Sequence, residues 1–440
     1  MKKHFFFLVS AFVLLSCAQA QFPTLARRSF LGIQMEKITD DTKRIMELPS
    51  ENGVLITKVI AGSSAENAGL LASDVLLKIN GKEVNSPDEA VKTVAEHKGG
   101  EEFTYEIIRN KKTVNGKSVF KEYPKENYKD IEMEYTATQT INGIQRLIVS
   151  KPKKNSKKMP VIIYIGGIGC YSLDNPLDTT KNEVQFLNSL TRAGFVCVRA
   201  EKPGIGDNTA CKACAEISFN EELDGYVNAV KTIKTYNYVD SSRIYIFGHS
   251  MGGVMAPLIA QQTPVKGIIA YGTIGSNFME YLLKTRRTIG EAYSWSEDET
   301  DGFIKDYCEC AGYYFTDKMS SDEAAKKNPD CKQYLNVFDY RSRAYNNELY
   351  ALNIPAAWKP FKGKALLLWG GSDFIASKED HEIITSTVNR FHPGNAEFKV
   401  VENSAHAFGT AFSFQEALKN PGIYNKLVTE KVLNWLKIVS

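Results

Sequence analysis

The chain has 440 residues, of which 43% are hydrophobic and 24% charged, and its formal net charge is +3. This near balance of charge argues against nucleic acid or anionic lipid as a main partner. About 420 residues remain after a removable leader, which is enough for two or three domains with ample cores.

The first twenty residues predict an export signal. Two lysines precede an apolar run from Phe5 to Leu15, and Ala18-Gln-Ala20 is typical of a cleavage site. That run is too short to remain as a spanning helix, and no other stretch of the sequence is apolar enough to cross a bilayer. Leu14-Leu-Ser-Cys17 also resembles a bacterial lipoprotein box, which would leave Cys17 lipidated. Soluble export is favoured, because leucine directly before Ser16 is atypical of that box.

Residues 28–112 are predicted to form short strands and short helices. Gly53-Val-Leu-Ile-Thr-Lys-Val-Ile60 alternates like a strand, and Ser86-Pro87 is typical of a helix start. The succession resembles a PDZ domain of the bacterial protease-associated type. The resemblance implies that Leu31, Gly32 and Ile33 bind a peptide's terminal carboxylate through their N–H groups, while the peptide adds a strand beside the helix. Alternatively, the domain packs on its neighbour and binds no peptide.

A polar stretch at 113–130 predicts a linker to a second domain. From residue 131 onward, apolar strands alternate with helical segments, a pattern that favours a mostly parallel sheet covered by helices.

The stretch Ile246-Phe-Gly-His-Ser-Met-Gly-Gly253 is the most informative in the chain. An apolar strand runs into a G-x-S-x-G turn, and a small-residue helix start follows. Such a turn exposes the serine hydroxyl at the top of a sheet, and its glycines allow strand and helix to approach closely. Ser250 is therefore predicted to be a nucleophile.

Elimination and chain order indicate the base. His406 lies in a loop after the strand 397–401, near the C-terminus, where this type of site places its histidine. The other five histidines are interpreted as one leader residue, one first-domain residue, the variable residue of the serine turn and two surface or capping residues: His4, His97, His249, His381 and His392, respectively.

The acid is expected between the serine and the histidine. Asp373 follows the buried strand 364–369 and could accept the imidazole N–H of His406. Capping of the next helix is the competing role for Asp373. Asp380 and Glu402 are the competing carboxylates.

An oxyanion hole is predicted beside the serine. The strand Val161-Ile-Ile-Tyr-Ile165 ends in Gly166-Gly-Ile-Gly169, a loop that can turn backbone N–H groups toward a developing negative charge. One donor is expected from Gly167 or Ile168, and the backbone N–H of Met251 is expected to be the second.

Residues 131–440 resemble an α/β-hydrolase, and the similarity extends to its esterase, acyl-hydrolase and serine-peptidase branches. It rests on four consecutive features of the sequence: Arg199-Ala-Glu-Lys-Pro-Gly-Ile-Gly-Asp207, Gly248-His-Ser-Met-Gly-Gly253, Gly370-Gly-Ser-Asp373 and His406. The resemblance implies an α/β-hydrolase fold, preceded here by a small mainly-β PDZ domain. It also implies an acyl-enzyme on Ser250, with His406 as the proton shuttle. Residues 275–355, which are aromatic and helical, would be a cap over the active site.

Seven cysteines lie outside the leader. Neither a histidine pair nor a second C-x-x-C accompanies Cys211-Lys-Ala-Cys214, so no metal or other cofactor is expected. Disulfides are the better account in an exported protein. We expect a Cys211–Cys214 bridge, a cap bridge to Cys331 and a buried free thiol at Cys197, while Cys170 either packs or pairs with the 211–214 loop.

The predicted function is that of an exported serine hydrolase, periplasmic or secreted, which cleaves an ester bond. His249 is typical of esterases, and prolyl-peptidase relatives commonly carry tyrosine where this chain has Met251. A serine peptidase of the same fold is the alternative. The second alternative is an inactive hydrolase scaffold that serves a PDZ peptide-binding protein. The expected partners are a small-molecule ester or peptide substrate and a C-terminal peptide at the PDZ domain.

Overall fold

A computed structural model describes residues 25–154, 157–208, 211–420 and 422–439. The predicted export signal, with Cys17 and His4, lies outside these residues. Within the described ranges, none of the helices combines the length and apolarity that a membrane-spanning segment needs.

The first domain is built on an antiparallel sheet in which the strands follow the order β2-β3-β4-β6-β7, with β5 paired to β4 and with β1 paired separately to β8. Its elements are β1 (Ser29–Phe30), β2 (Ile33–Lys37), α1 (Asp40–Met46), β3 (Val54–Val59), α2 (Ser64–Asn67), β4 (Val75–Ile79), β5 (Lys82–Glu83), α3 (Pro87–Ala95), β6 (Glu102–Arg109), β7 (Lys112–Val119) and β8 (Lys121–Glu122).

Local sequence explains where α3 begins. The Ser86 hydroxyl accepts the N–H of Glu89, and Pro87 fits the first turn because it has no N–H to satisfy. Buried apolar side chains from the sheet and from α3, among them Ile56, Ala90 and Phe103, form the core of the domain.

The first sheet extends beyond the expected boundary at residue 112. Strand β7 pairs with β6 along its whole length, so residues 113–119 of the expected linker belong to the sheet. Most side chains of β7 are exposed, because it is an edge strand. Its polar composition therefore looked like that of a linker.

The second domain is a doubly covered sheet with the strand order β16-β15-β14-β13-β11-β12-β10-β9. Its strands from β11 to β16 are parallel, and the antiparallel hairpin β9–β10 joins at β12. The elements of its core are β9 (Ile131–Thr140), β10 (Gly143–Pro152), β11 (Met159–Ile165), α4 (Asn182–Arg192), β12 (Val196–Ala200), α5 (Phe219–Ile233), β13 (Val239–His249), α6 (Met251–Gln262), β14 (Gly267–Tyr271), α12 (Ile354–Trp358), β15 (Lys364–Gly370), α13 (Lys378–Phe391), β16 (Ala396–Val401), α14 (Phe414–Lys419) and α15 (Lys426–Val439).

Alternate residues of the central strands face opposite layers. In β11, Val161 and Ile163 pack into the layer that contains α5 and α6, whereas Ile162 and Tyr164 pack into the layer of α4 and α15. This period of two, with apolar residues on both faces, is typical of a parallel strand covered by helices on both sides.

The expected cap is helical. Between β14 and α12 lie α7 (Phe278–Tyr293), α8 (Glu297–Phe315), α9 (Ser321–Ala325), α10 (Cys331–Leu335), a 3₁₀ turn (Asn336–Phe338) and α11 (Arg343–Ala351). A disulfide joins Cys310 to Cys331, which confirms the predicted cap bridge to Cys331.

A buried cluster of charges joins the two domains. Arg27, just before β1, forms ion pairs of 2.8 Å with both Asp174 and Asp207 of the second domain. Asp207 also accepts the backbone N–H of Arg28 at 2.9 Å and pairs with Arg146 of β10 at 2.8 Å. The chain that precedes the first sheet is therefore fixed to the second domain.

Candidate active site

Ser250 lies at the sharp turn between β13 and α6. Its backbone has φ 55° and ψ −120°, a conformation that non-glycine residues rarely adopt. The Ser250 N–H donates to the Tyr271 carbonyl, and the Thr273 hydroxyl donates to the Ser250 carbonyl. A Cβ at Gly252 would lie 2.1 Å from the Ile165 carbonyl oxygen, so the close approach predicted for this turn is present.

The structure brings Asp373 and His406 together. The Asp373 Oδ2 atom accepts from His406 Nδ1 at 2.8 Å, while Oδ1 accepts the N–H groups of Ile375 and Ala376. Burial opposes ionisation of Asp373, but His406 and the two amides outweigh it, so the pKa of Asp373 lies below its usual value. Gly272 leaves room for this pair, because a Cβ there would lie 2.8 Å from Asp373 Oδ2.

The competing carboxylates lie elsewhere. Asp380 accepts the N–H groups of Gly275 and Ser276 at the start of the cap. Glu402 forms an ion pair with Lys431 at the surface. Of the three carboxylates considered, Asp373 is the one hydrogen-bonded to His406.

His249 supports the His406 loop, a role that the sequence did not suggest. Its Nε2 lies 2.8 Å from the His406 carbonyl oxygen, and the two imidazole rings are 4.8 Å apart. Burial, with His406 nearby, lowers the pKa of His249 to about 3. The neutral ring therefore donates from Nε2 to the His406 carbonyl. The Tyr271 hydroxyl donates to the carbonyl of the preceding loop residue, Ala405.

His381 is not the surface or capping residue that the sequence indicated. Its side chain is fully buried, Nε2 accepts the Thr273 N–H, and Nδ1 donates to the Ser377 carbonyl. His381 lies on the inward face of α13, which packs against the segment after β14. His392 is the C-terminal capping residue of α13, in agreement with the prediction.

The glycine-rich loop lies beside Ser250. A Cβ at Gly167 would be 3.5 Å from the Ser250 Cβ. The Gly167 N–H points to the Tyr171 hydroxyl at 3.4 Å, whereas the described residues offer no acceptor to the Ile168 N–H. Met251 is the first residue of α6, so its N–H lacks an acceptor within the helix.

A disulfide follows this loop directly. Cys170 is bonded to Cys214, with a Cα–Cα distance of 5.8 Å. The expected Cys211–Cys214 bridge is therefore wrong, and pairing of Cys170 with the 211–214 loop is confirmed. The thiol of Cys211 instead contacts the Ile144 carbonyl, and Cys197 is a buried free thiol as predicted.

Two family models match the chain. The model described as PDZ domain matches residues 29–117, and the model described as Serine aminopeptidase, S33, matches residues 178–409. The first match confirms the N-terminal PDZ domain.

The relatives include one that aligns with most of this chain and others that align with about a quarter of it or less. Esterase EstD from Thermotoga maritima is 23% identical over 323 residues, which are 72% of this chain and 70% of that protein. A probable periplasmic serine endoprotease DegP-like from Bartonella henselae is 32% identical over 107 residues, which are 24% of this chain and 21% of that protein. This chain thus spans about a fifth of the latter.

Among solved structures, Est1E from Butyrivibrio proteoclasticus is similar, with 17% identity and a TM-score of 0.45 over 70% of this chain and 98% of that one. The family match at residues 178–409 covers just over half of the present chain. The chain therefore belongs to the family described as Serine aminopeptidase, S33, and is a serine hydrolase of the α/β-hydrolase fold with an N-terminal PDZ domain.

Proposed function

We propose that this protein is an exported hydrolase that cleaves carboxylic esters through Ser250, His406 and Asp373. One observation carries the proposal: Ser250 lies on a strained turn whose preceding residue, His249, contacts the loop of His406, and His406 is hydrogen-bonded to the buried Asp373 carboxylate. The lowered pKa of Asp373 keeps its carboxylate ionised. Because this carboxylate accepts a hydrogen bond from His406 Nδ1, it favours the tautomer in which Nε2 is free to accept a proton.

The proposed reaction has two halves. His406 takes the proton of the Ser250 hydroxyl as the serine oxygen attacks the ester carbonyl, and the protonated ring then gives that proton to the leaving alcohol. Water, deprotonated by His406, releases the acid from the acyl-enzyme. We assign the oxyanion to the N–H groups of Ile168 and Met251, because the Gly167 N–H already points to Tyr171.

Two observations favour an ester over an amide. The relative named an esterase aligns with 72% of this chain. His249, before the nucleophile, is typical of esterases, and Met251, after it, replaces the tyrosine that is common in prolyl-peptidase relatives. The peptidase alternative is favoured by the description of the matching family, which names an aminopeptidase.

Export is supported by two disulfides, Cys170–Cys214 and Cys310–Cys331, which are typical of proteins in oxidising compartments. The relatives that share the PDZ segment are named periplasmic. Both soluble export and attachment through Cys17 are compatible with these observations.

For the PDZ domain we propose capture of a peptide C-terminus. A groove of about 250 Å³ lies between β2 and α3 and is lined by Leu31, Gly32, Ile33, Val91 and Val94, among others. In the described chain, β2 pairs only with β3, so its other edge can accept a peptide strand. Arg28 and Tyr123 line the same groove.

Covalent labelling tests the hydrolase proposal. A fluorophosphonate should add to the wild-type chain, peptide mapping should find the adduct on Ser250, and the Ser250→Ala variant should not react. Turnover of p-nitrophenyl acyl esters should exceed that of aminoacyl p-nitroanilides. A folded wild type that neither reacts nor turns over ester would contradict the proposal, and preferential anilide cleavage would favour the peptidase.

Peptide affinity tests the PDZ proposal. A fluorescent peptide with an apolar C-terminal residue and a free carboxylate should bind, and its C-terminal amide should bind at least about tenfold more weakly, because the N–H loop recognises charge. Val91→Glu, on the groove, should weaken binding. Val119→Glu is the control, since that exposed valine lies on β7, outside the groove. Equal binding of acid and amide peptides would contradict the assigned mode.

A further inference from the structure

Three buried charged side chains lie on the interior side of the glycine-rich loop at residues 166–169, which we call the oxyanion loop. Lys202, from the loop after β12, pairs with Glu222 of α5 at 3.0 Å, and Arg341, just before α11 in the cap, pairs with the other oxygen of the same carboxylate. None of the three side chains is more than 5% exposed. Buried charges are costly and therefore rare in protein interiors, so this cluster requires an explanation.

The two cations also donate to the oxyanion loop. Lys202 Nζ lies 2.6 Å from the Gly167 carbonyl oxygen, and Arg341 Nη1 lies 2.7 Å from the Ile168 carbonyl oxygen. These are consecutive carbonyls of the loop that lies beside Ser250. Burial would raise the pKa of Glu222, but Lys202 and Arg341 outweigh it, so the carboxylate stays ionised between them.

Peptide geometry connects these contacts to the oxyanion hole. The Gly167 carbonyl and the Ile168 N–H belong to one planar trans peptide, in which C=O and N–H point in opposite directions. An ammonium group that holds the carbonyl toward the interior therefore directs the Ile168 N–H away from the interior. The same cation polarises the peptide, which strengthens its N–H as a donor.

We propose that Lys202, Glu222 and Arg341 act together as positioning residues for the oxyanion site. Lys202 orients the 167–168 peptide, Arg341 fixes the following peptide through the Ile168 carbonyl, and Glu222 holds both cations in place. This inference rests on the proposed function, because it concerns the same reaction. The proposal gives the cap a positioning role, because Arg341 holds the oxyanion loop although it lies 173 residues further along the chain than Ile168.

Charge balance determines which variants are informative. Lys202→Met leaves Glu222 paired with Arg341, and Arg341→Met leaves it paired with Lys202, so each variant keeps one ion pair. Loss of Glu222 would instead leave two buried cations without their anion and is a poor test.

Arg343 offers a matched control. Its guanidinium lies 3.7 Å from the ring centre of Tyr314, as that of Arg341 lies 3.6 Å from the ring centre of Tyr345. Arg343 also donates to backbone carbonyls, at Met319 and Tyr314, but both belong to the cap. Arg343→Met thus removes a similar side chain without touching the oxyanion loop.

The experiment compares the full-length wild type with Lys202→Met, Arg341→Met, Arg341→Lys and Arg343→Met. For each folded protein, kcat and KM for a p-nitrophenyl ester are measured, together with inhibition by an alkylboronic acid, which forms an anionic tetrahedral adduct on a nucleophilic serine. We expect either Met variant of the cluster to lower kcat about 10- to 100-fold, with KM within twofold and boronate affinity reduced in parallel. Arg341→Lys should recover part of both losses, and Arg343→Met should resemble the wild type.

Crystal structures of the variants give a second measurement. In Lys202→Met the Gly167 carbonyl should leave its wild-type direction. A carbonyl that keeps this direction, an effect on KM alone, or equal losses in Arg343→Met would overturn the positioning role. A wild type that neither reacts with fluorophosphonate nor cleaves ester would overturn the proposed function instead, while the carbonyl direction would still decide the role of Lys202.

Discussion

Asp373→Asn is expected to fold and to lose about four orders of magnitude in kcat. Two backbone N–H groups, from Ile375 and Ala376, donate to Oδ1 of Asp373, so an asparagine must place its own oxygen there. Its NH₂ group then faces His406 Nδ1, where the wild type has an acceptor at 2.8 Å. The ring would have to accept at Nδ1 and carry its proton on Nε2. His406 could no longer take the proton of Ser250.

Steady-state kinetics on a p-nitrophenyl ester measure this loss, and thermal unfolding shows that the variant is folded. Glu402→Gln is the control, because Glu402 also lies between the serine and the histidine regions of the sequence but pairs with Lys431 at the surface. Its kcat should equal that of the wild type. A large loss in Glu402→Gln and a small one in Asp373→Asn would reverse the assignment of the acid.

Asp207→Ala should lower the free energy of unfolding by about 3–5 kcal/mol. Asp207 is 1% exposed, forms ion pairs with Arg27 and Arg146, and accepts a hydrogen bond from the backbone N–H of Arg28. Without it, Arg27 keeps Asp174, but the buried guanidinium of Arg146 has no other ion pair among the described residues. The penalty arises mainly from that unpaired charge.

Urea unfolding measures the change. Asp130→Ala, which breaks an exposed pair with Arg192, is the control and should leave the midpoint unchanged. Acid should reproduce part of the loss in the wild type. Burial opposes ionisation of Asp207, but the charges of Arg27 and Arg146 and the backbone N–H of Arg28 lower its pKa. The contribution of Asp207 to stability is therefore present above about pH 4, the unfolded value, and disappears as the pH falls through the folded pKa. An Asp207→Ala variant as stable as the wild type would contradict this account.

The sequence predicts what depends on neighbouring residues. The turn at Ser250 is encoded by adjacent glycines, and the start of α3 by Ser86 and Pro87. The same holds for the strand that precedes Asp373. Each of these features follows from short-range rules of backbone geometry, so each could be inferred from the sequence alone.

Contacts between distant segments were not predictable in this way. Lys202, Glu222 and Arg341 come from three separate parts of the chain, and no local pattern indicates that they meet. His381 looked like a surface residue because a helix position alone does not reveal which face is covered. The polar strand β7 was interpreted as linker because an exposed edge strand has no apolar alternation.

The ion pairs of Arg27 have a consequence for the modularity of this enzyme. Two families meet in the chain, and their matches suggest that a cut near residue 120 would yield two autonomous pieces. Yet Arg27 and Arg28, which bind the Asp207 carboxylate, precede the first strand of the PDZ domain. Asp207 in turn lies only five residues after Lys202. A hydrolase piece starting at residue 131 would carry Asp207 and Arg146 without Arg27, and Asp207 lies on the same loop as Lys202, which contacts the oxyanion loop. The family matches divide the chain into two domains, but the buried ion pairs of Arg27 link the two.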